Sequence, residues 1–450
     1  MTPTPTPRAS LLRTASLLAH LSLLAAQTAV NAQDLSPPAA LDGAAPTVVK
    51  LTLQEAKERA LSNSKLLNLA SMNAQAKAYA IKVARSDYFP KVIGGVVYFH
   101  FNDDLGKVLT TQGRTISGPR GVPLLTFPPT SIQAAVLQQN STFTTVNVLQ
   151  PITDLLKVRQ GVKIAQADEQ IAQADLERGT RELVSGVGQL YWGLLAARRI
   201  QKGAVEGVRG AELLAQTGTL EARTALVEAR QALQQVEKQI ADLQEQLNGL
   251  VDLPLCTTLD LVEPPLPVPL FRCVDEVIGL ALAASPEIRK AQQTIAKSQA
   301  AVAAGKLDYV PSIAAFGGYL NQQAMSYVQP NISYLGVMGT YTFVDWGKRR
   351  NIIRERNTLE SMATIQLQQT EDEVRQKAQK AFREVIQTQQ ERTTAQEMLD
   401  LRKEAEKKAG APMAMMAAVK ARMLAEVDFI KADLAYRQAY VQLMSLVGQQ

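Results

Sequence analysis

Few side chains in this chain could do covalent or metal chemistry. Two histidines, His20 and His100, and two cysteines, Cys256 and Cys273, stand among 450 residues. His20 lies in a segment read below as a removable leader, which leaves one imidazole. An acid–base site needs carboxylates that face one another, and the run Glu371-Asp372-Glu373 puts adjacent acids on different faces of a helix. No histidine, thiol or glycine-rich loop sits beside that run in sequence. The residue inventory therefore argues against an enzyme, a resident metal and an organic cofactor. The cysteines point to a different chemistry, because they bracket a segment holding Pro264, Pro265, Pro267 and Pro269. In an oxidising compartment, an even pair around a short loop fits a disulfide. Unstrained, it would stabilise by about 3 kcal/mol. Two separate buried thiols are the other reading of the same spacing.

The compartment is indicated by the N-terminus. Arg8 and Arg13 precede an apolar stretch from Leu17 to Val30 that is too short to span a bilayer, and Val30-Asn31-Ala32 has the small-x-small form of a cleavage site before Gln33. Residues 1–32 thus read as an export signal and 33–51 as an N-terminal segment. No other stretch reaches the roughly 18 apolar residues of a membrane-spanning helix. The formal net charge is +6, but Lys and Arg alternate with Glu and Asp along the helices. That is a solvated face and not a nucleic-acid stripe.

The elements themselves are duplicated. Leu53 to Val92 aligns without a gap on Val274 to Ile313, matching Glu55 with Glu276, Ala60 with Ala281, Ser64 with Ser285, and Asp87-Tyr88-Phe89-Pro90 with Asp308-Tyr309-Val310-Pro311. Internal repetition decides architecture before any single residue does. Two repeats follow, 52–252 and 274–448, joined by a Pro-rich linker, 253–273. Each reads helix, strand, loop, strand, long helix, helix. Thr52 and Glu55 form a capping box for a helix from Leu53 to Asp87. Its counterpart runs from Val274 to Leu307, with a kink expected at Pro286.

The strands are predicted over Val92–Phe101, Phe143–Ile152, Ile313–Leu320 and Tyr334–Phe343. Each is about the length that crosses a bilayer when tilted. A loop of roughly forty residues separates the first two, a length that marks function or disorder. Four strands cannot close a barrel, since closure takes about eight, and open strand edges are not tolerated in lipid. Three copies would supply twelve, an even number typical of outer-membrane barrels. The aromatics Tyr98, Phe99, Phe101, Tyr319, Tyr334, Tyr341, Phe343 and Trp346 lie in or beside these strands, where interfacial girdles sit. A soluble sheet with ordinary β-propensity is the competing reading.

Between Pro151 and Pro254 no proline occurs. Leu226, Ala229, Leu233, Val236, Ile240, Leu243, Leu247 and Leu250 step by three and four, a coiled-coil seam. A turn near Thr217-Gly218-Thr219 predicts antiparallel helices of about 90 and about 45 Å. The second half repeats this with a helix from near Trp346 to Lys408, a break at Gly410-Ala411-Pro412, and a last helix ending near Val447.

In order and duplication, the chain resembles the TolC-like outer-membrane efflux proteins over nearly its whole mature length. The carriers are the duplicated Tyr88-Phe89-Pro90 and Tyr309-Val310-Pro311, the exit Phe343-Val344-Asp345-Trp346-Gly347, and the helix ends Leu247-Asn248-Gly249-Leu250 and Leu443-Met444-Ser445-Leu446. The resemblance implies an α+β membrane protein. Four transmembrane strands per chain would share a twelve-stranded β-barrel in a homotrimer, above an α-barrel of long antiparallel coiled-coil helices. Such proteins are passive ducts set in outer-membrane lipid, served by a periplasmic adaptor protein and an inner-membrane pump or transporter. The helix turns would form the periplasmic tip, at Gly218, Thr219, Leu220, Glu221 and Arg223, and at Gly410, Ala411, Pro412 and Met413. Better-known members carry acids there. This chain keeps Glu221, has no acid from Gly410 to Met416, and places Met413, Met415 and Met416 instead. Closure is expected to depend on contacts near Glu221 and Arg223. The first strand exit, Ile152-Thr153-Asp154-Leu155-Leu156, keeps the Asp and lacks the Gly. A soluble periplasmic coiled-coil adaptor or scaffold remains the rival reading: it accounts for the seams but not for four matched strands.

Overall fold

Local capping chemistry divides the helices more finely than hydrophobic periodicity predicts. The computed structural model describes residues 48–117, 123–216, 219–267, 271, 273–325, 328–408 and 412–449. The export signal and most of the N-terminal segment lie outside these, as do Gly218, Gly410 and Ala411. A short strand, β1 (Val48–Leu51), leads to Thr52, whose hydroxyl accepts from the Glu55 amide at 3.2 Å while the Glu55 carboxylate accepts from the Thr52 amide at 2.9 Å. This reciprocal box opens α1 (Leu53–Asn63). The helix expected to continue to Asp87 stops here. Ser64 takes an extended conformation, and its hydroxyl accepts from the Leu67 amide, opening α2 (Lys65–Ser86).

The expected strands then appear with small shifts of boundary. β2 is Lys91–His100. The segment predicted as a loop is instead two paired ladders, β3 (Leu105–Thr111) with β6 (Thr130–Leu137) and β4 (Arg114–Ser117) with β5 (Pro123–Phe127). Its Gly and Pro content hid the short strands. β7 is Asn140–Pro151. The helical hairpin follows as α3 (Leu155–Ala215) and α4 (Leu220–Val251). At 61 residues, α3 is about 90 Å long. The linker contributes an unforeseen strand, β8 (Thr258–Leu261), paired with β1.

The second half copies the first. α5 (Val274–Ala284) ends at Ser285, whose hydroxyl accepts from the Ile288 amide and opens α6 (Pro286–Lys306). The break expected from Pro286 therefore also occurs where Lys65 stands, and the shared cause is the serine cap. β9 (Ser312–Gln322) and β10 (Asn331–Thr340) precede α7 (Lys348–Lys408), again 61 residues, and α8 (Pro412–Val447). β10 ends three residues before the predicted Phe343.

One antiparallel sheet runs β2–β7–β9–β10, with β7 against β9 joining the halves. The helices beneath keep the same lateral order: α2 packs on α3, α3 on α6, and α6 on α7. At the other end of α3, α4 and α8 are its neighbours, and α8 packs on α7. Charge fixes the α3–α6 register. Lys157 meets Asp308 at 3.1 Å, Asp168 meets Lys297 at 2.7 Å, and Asp175 meets Lys290 at 2.9 Å. The two numbers in each pair add to the same total, as antiparallel helices require.

Each half has its own core. In the first, Ala56 and Ala60 of α1 bury against Val187, Tyr191 and Leu194 of α3 and Leu247 and Val251 of α4. In the second, the repeat-equivalent Val277 and Ala281 of α5 bury against Val374, Ala378, Ala381 and Val385 of α7 and Tyr436 and Leu443 of α8.

Candidate functional site

The four-stranded sheet carries two unlike faces. One holds Val92, Val96, Val146, Val148, Leu335 and Val337, all exposed. Tyr98 and Tyr319 end this face on the side of the interstrand loops. The Tyr98 hydroxyl donates to Asn140 Oδ1 at 2.8 Å and the Tyr319 hydroxyl to Asn331 Oδ1 at 2.7 Å. The offset that carries Leu53 onto Val274 also carries Tyr98 onto Tyr319, so this pair is duplicated with the helices. The opposite face holds Phe99, Phe143, Phe316 and Tyr334, with the Tyr334 hydroxyl donating to Asn147 Oδ1.

The candidate aromatics thus separate into three groups. Tyr98 and Tyr319 share the apolar face, and Phe99 and Tyr334 the other; Phe101 lies just past β2, stacked on Phe99 at 5.8 Å. Tyr341, Phe343 and Trp346 lie beyond β10, in the segment leading into α7. Phe343 and Trp346 are almost fully exposed there, and Phe89, which precedes β2 at the opposite edge of the sheet, is exposed as well. Trp346 has a φ of 53° and Gly347 a φ of 84°. The turn is held by Asp345, whose carboxylate accepts from the Gly347 amide at 3.0 Å and the Arg349 amide at 3.1 Å. The Arg349 amide bond is the largest cause holding the Asp345 carboxyl below its usual range. In the first half Asp154 does a different job and accepts from the Ser312 hydroxyl of the other repeat at 2.6 Å.

The linker is fastened to both cores. Tyr191, wholly buried, directs its hydroxyl at the Leu51 carbonyl, 3.0 Å away, and at the Val262 carbonyl. Burial, the main cause, pushes this phenol up to about 12, against the Val262 hydrogen bond. On the second-half side, the Tyr436 hydroxyl donates to the Pro267 carbonyl at 2.9 Å. Beside it lies a charged network missed by sequence reasoning. Asp433 accepts from Arg392 at 2.7 Å and Arg437 at 2.9 Å and lies 3.5 Å from Arg199. Arg437 reaches Glu263 at 3.3 Å and stacks 4.3 Å from the Trp192 ring centroid. The available signal was the i, i+4 pair Asp433 and Arg437, one of several charged positions along α8. Cys256 and Cys273, in contrast, are exposed free thiols at the two ends of the linker, so the expected bridge is not formed in this structure.

At the turns, Thr219 caps α4 by accepting from the Ala222 amide at 3.3 Å, Leu220 and Glu221 begin that helix, and Pro412 and Met413 begin α8. Among the described residues, neither the Glu221 nor the Arg223 side chain has an ion-pair partner. The pairs that do bind each hairpin near its turn are Glu212–Arg230 at 3.0 Å and Glu406–Arg422 at 2.7 Å. Both arginines stand ten residues into the returning helix. Periodicity could not single them out among so many surface charges.

Residues 277–420 match the family model described as outer membrane efflux protein. Over that segment the chain is similar to the family. The fold agrees. The outer-membrane channel OprN superposes with a TM-score of 0.71 at 16% identity, covering 88% of this chain and 90% of its own. VceC of Vibrio cholerae gives 0.65 at 14%, covering 88% and 96%. The open-state MtrE channel of Neisseria gonorrhoeae gives 0.69 at 14%, covering 88% and 89%. No curated relative matches the sequence.

Proposed function

We propose that three copies of this chain form one passive, gated exit duct, fed by a periplasmic adaptor and an inner-membrane pump or secretion transporter. The observation that carries the reading is the pair of open edges. β2 and α2 end the layered order on one side, β10 and α7 on the other, and both edges are apolar. No residue of β2 or α2 is buried. Leu66, Leu69, Met72, Tyr79 and Val83 line α2 at helical spacing, all more than 60% exposed, and Leu359, Met362 and Ile365 line α7. A strand edge in lipid must be paired, and an apolar helix stripe must be covered. A neighbouring copy does both at once if its β10 and α7 meet β2 and α2. Two copies would give about eight strands, whose interior side chains fill. Three give room for passage.

In this assembly Tyr98 and Tyr319 form the outer aromatic belt, and Phe343, Trp346 and Phe89 the one nearer the helices. Residues 52–252 and 274–448 are the two structural repeats, with 253–273 at the waist. The turns at 216–223 and 408–413 form the tip. Opening there separates each copy's hairpins from those of its neighbours, and the Glu212–Arg230 and Glu406–Arg422 clasps keep each hairpin intact as it moves. The decisive measurement is the native mass of the mature protein extracted from membranes, with and without detergent. A detergent-dependent particle of three chains is expected. A monodisperse monomer or dimer, soluble without detergent, would overturn the assembly.

A further inference from the structure

Two cavities border Trp192, where the linker meets α3 and α8. One, beside Arg199 and Asp433, has a volume of about 10 Å³, room for one water. The other measures about 320 Å³, within the range of small-ligand sites. Both halves of the chain wall it: Leu53 of α1, Val184 of α3, Pro265 of the linker, and Val441 and Met444 of α8. Among the described residues, no carboxylate contributes to this wall.

Two polar groups at the larger cavity lack partners. The Trp192 indole is 6% exposed, and its buried Nε1–H has no hydrogen-bond acceptor. A buried donor left unpaired is costly. Lys57 of α1 also lines the cavity and is half-buried. Among the described residues it has no ion-pair partner, and burial pulls its ammonium below the usual range. The other cation, Arg437, is already committed to Asp433 at 2.9 Å and Glu263 at 3.3 Å. The site therefore has one free positive charge and one free N–H donor, set in apolar walls.

We infer that this cavity binds a small organic monocarboxylate with an apolar body, its carboxylate accepting from the Trp192 Nε1–H and the Lys57 ammonium. An inorganic anion would shed its hydration shell for two contacts and apolar walls. A neutral molecule would leave the Lys57 charge unpaired, and a dicarboxylate would bury a second charge without a partner. The occupant would touch α1 and α3 of the first half and α8 of the second, and so fasten the halves beside the linker. Its binding does not require the three-copy assembly and is tested separately from it.

The test is calorimetric titration of the mature protein in detergent with 4-phenylbutyrate, and with 4-phenylbutanol as the uncharged control. One saturable site per chain is expected for the acid, at least tenfold tighter than for the alcohol. Lys57→Met keeps the stem and removes the charge. Trp192→Phe keeps a ring and removes the N–H. Each should weaken binding at least several-fold. The chain has two tryptophans, so in a Trp346→Phe background the emission of Trp192 should change as the site fills. No saturable binding at millimolar acid would overturn the site and leave the indole N–H to a water in the smaller cavity. Equal affinity for the alcohol would overturn the carboxylate class. Affinity unchanged by Lys57→Met or Trp192→Phe would overturn the placement. If Trp192→Phe does not fold, Lys57→Met and the emission titration decide that point.

Discussion

Two helices of 61 residues hold the same place in the two halves, and they are built differently. α3 contains eight glycines, and α7 contains none. α3 is central, with α1, α2, α4, α6 and α8 against it, whereas α7 meets α5, α6 and α8 and leaves one side open. A surrounded helix needs small residues where its neighbours approach. A Cβ on Gly207 would lie 2.8 Å from Met423 Cε, and one on Gly188 3.4 Å from Val441 Cγ1. An edge helix gains more from straight-chain charged residues, which favour helix and keep the open side soluble. Duplication preserved length but not the turn that starts each helix, and close neighbours account for Gly188 and Gly207.

The largest expected effect lies where the two helices are tied together. Asp433 of α8 holds Arg392 of α7 and faces Arg199 of α3, with its side chain only 6% exposed. Asp433→Ala should cost about 3–5 kcal/mol, because three arginines lose their shared acceptor in a buried site. Urea unfolding of the detergent-solubilised protein would show it, and a loss below 1 kcal/mol would mean that water replaces the carboxylate.

On the α3 side the linker is held by a neutral group, so its signature is alkaline. Tyr191→Phe should cost about 1–3 kcal/mol by leaving buried carbonyl groups without their donor. The folded phenol ionises at about 12 against an ordinary 10.0. Its contribution is complete below pH 10 and is lost as pH rises from there through about 12, because the unfolded chain gives up its proton first. Melting curves over that range should flatten in the phenylalanine variant; an unchanged slope would remove Tyr191 as the cause.

The duplicated caps offer a smaller contrast. Ser64→Ala should cost about 1 kcal/mol. Ser285→Ala should cost less, because Pro286 already fixes the first helical φ of α6. Equal losses would show that proline adds nothing at this break.

The smallest effect tests the glycine argument itself. Gly203 has nothing within 4 Å of a built Cβ, so Gly203→Ala should stabilise α3 by about 0.5–1 kcal/mol. Gly207→Ala should not, since Met423 must move. If Gly203→Ala destabilised the assembled protein but not the dissociated chain, that face of α3 would be a contact with another copy.

The scaffold was largely legible in the sequence because periodicity and punctuation are local. Pro90 and Pro311 mark the strand starts, and the seam from Leu226 to Leu250 marks α4. The ladders between Leu105 and Leu137 were not legible, since strands of four to eight residues among Gly and Pro carry little period. The unbroken helix expected to Asp87 failed for a related reason: a serine that bonds the amide three residues on ends one helix and starts the next without disturbing the hydrophobic step. At the candidate site, Tyr98 and Tyr319 were readable as strand aromatics. Alternation already puts Tyr98 and Phe99 on opposite faces; grouping Tyr319 with the first and Tyr334 with the second needed the register across β7, β9 and β10. Glu221 and Arg223 drew attention by lying at a turn, while the charges that bind the hairpins, Glu212–Arg230 and Glu406–Arg422, lie a few turns away and look like any other surface residues.

The sequence alone determined the duplicated order of elements, the lengths of the long helices and the poverty of reactive groups, because each follows from residue type and near-neighbour spacing. Tertiary structure decided which strands pair across the halves, which charges become buried partners, and which two edges are left open. Those outcomes depend on residues far apart in the chain reaching the same few ångströms, and no local pattern records that meeting.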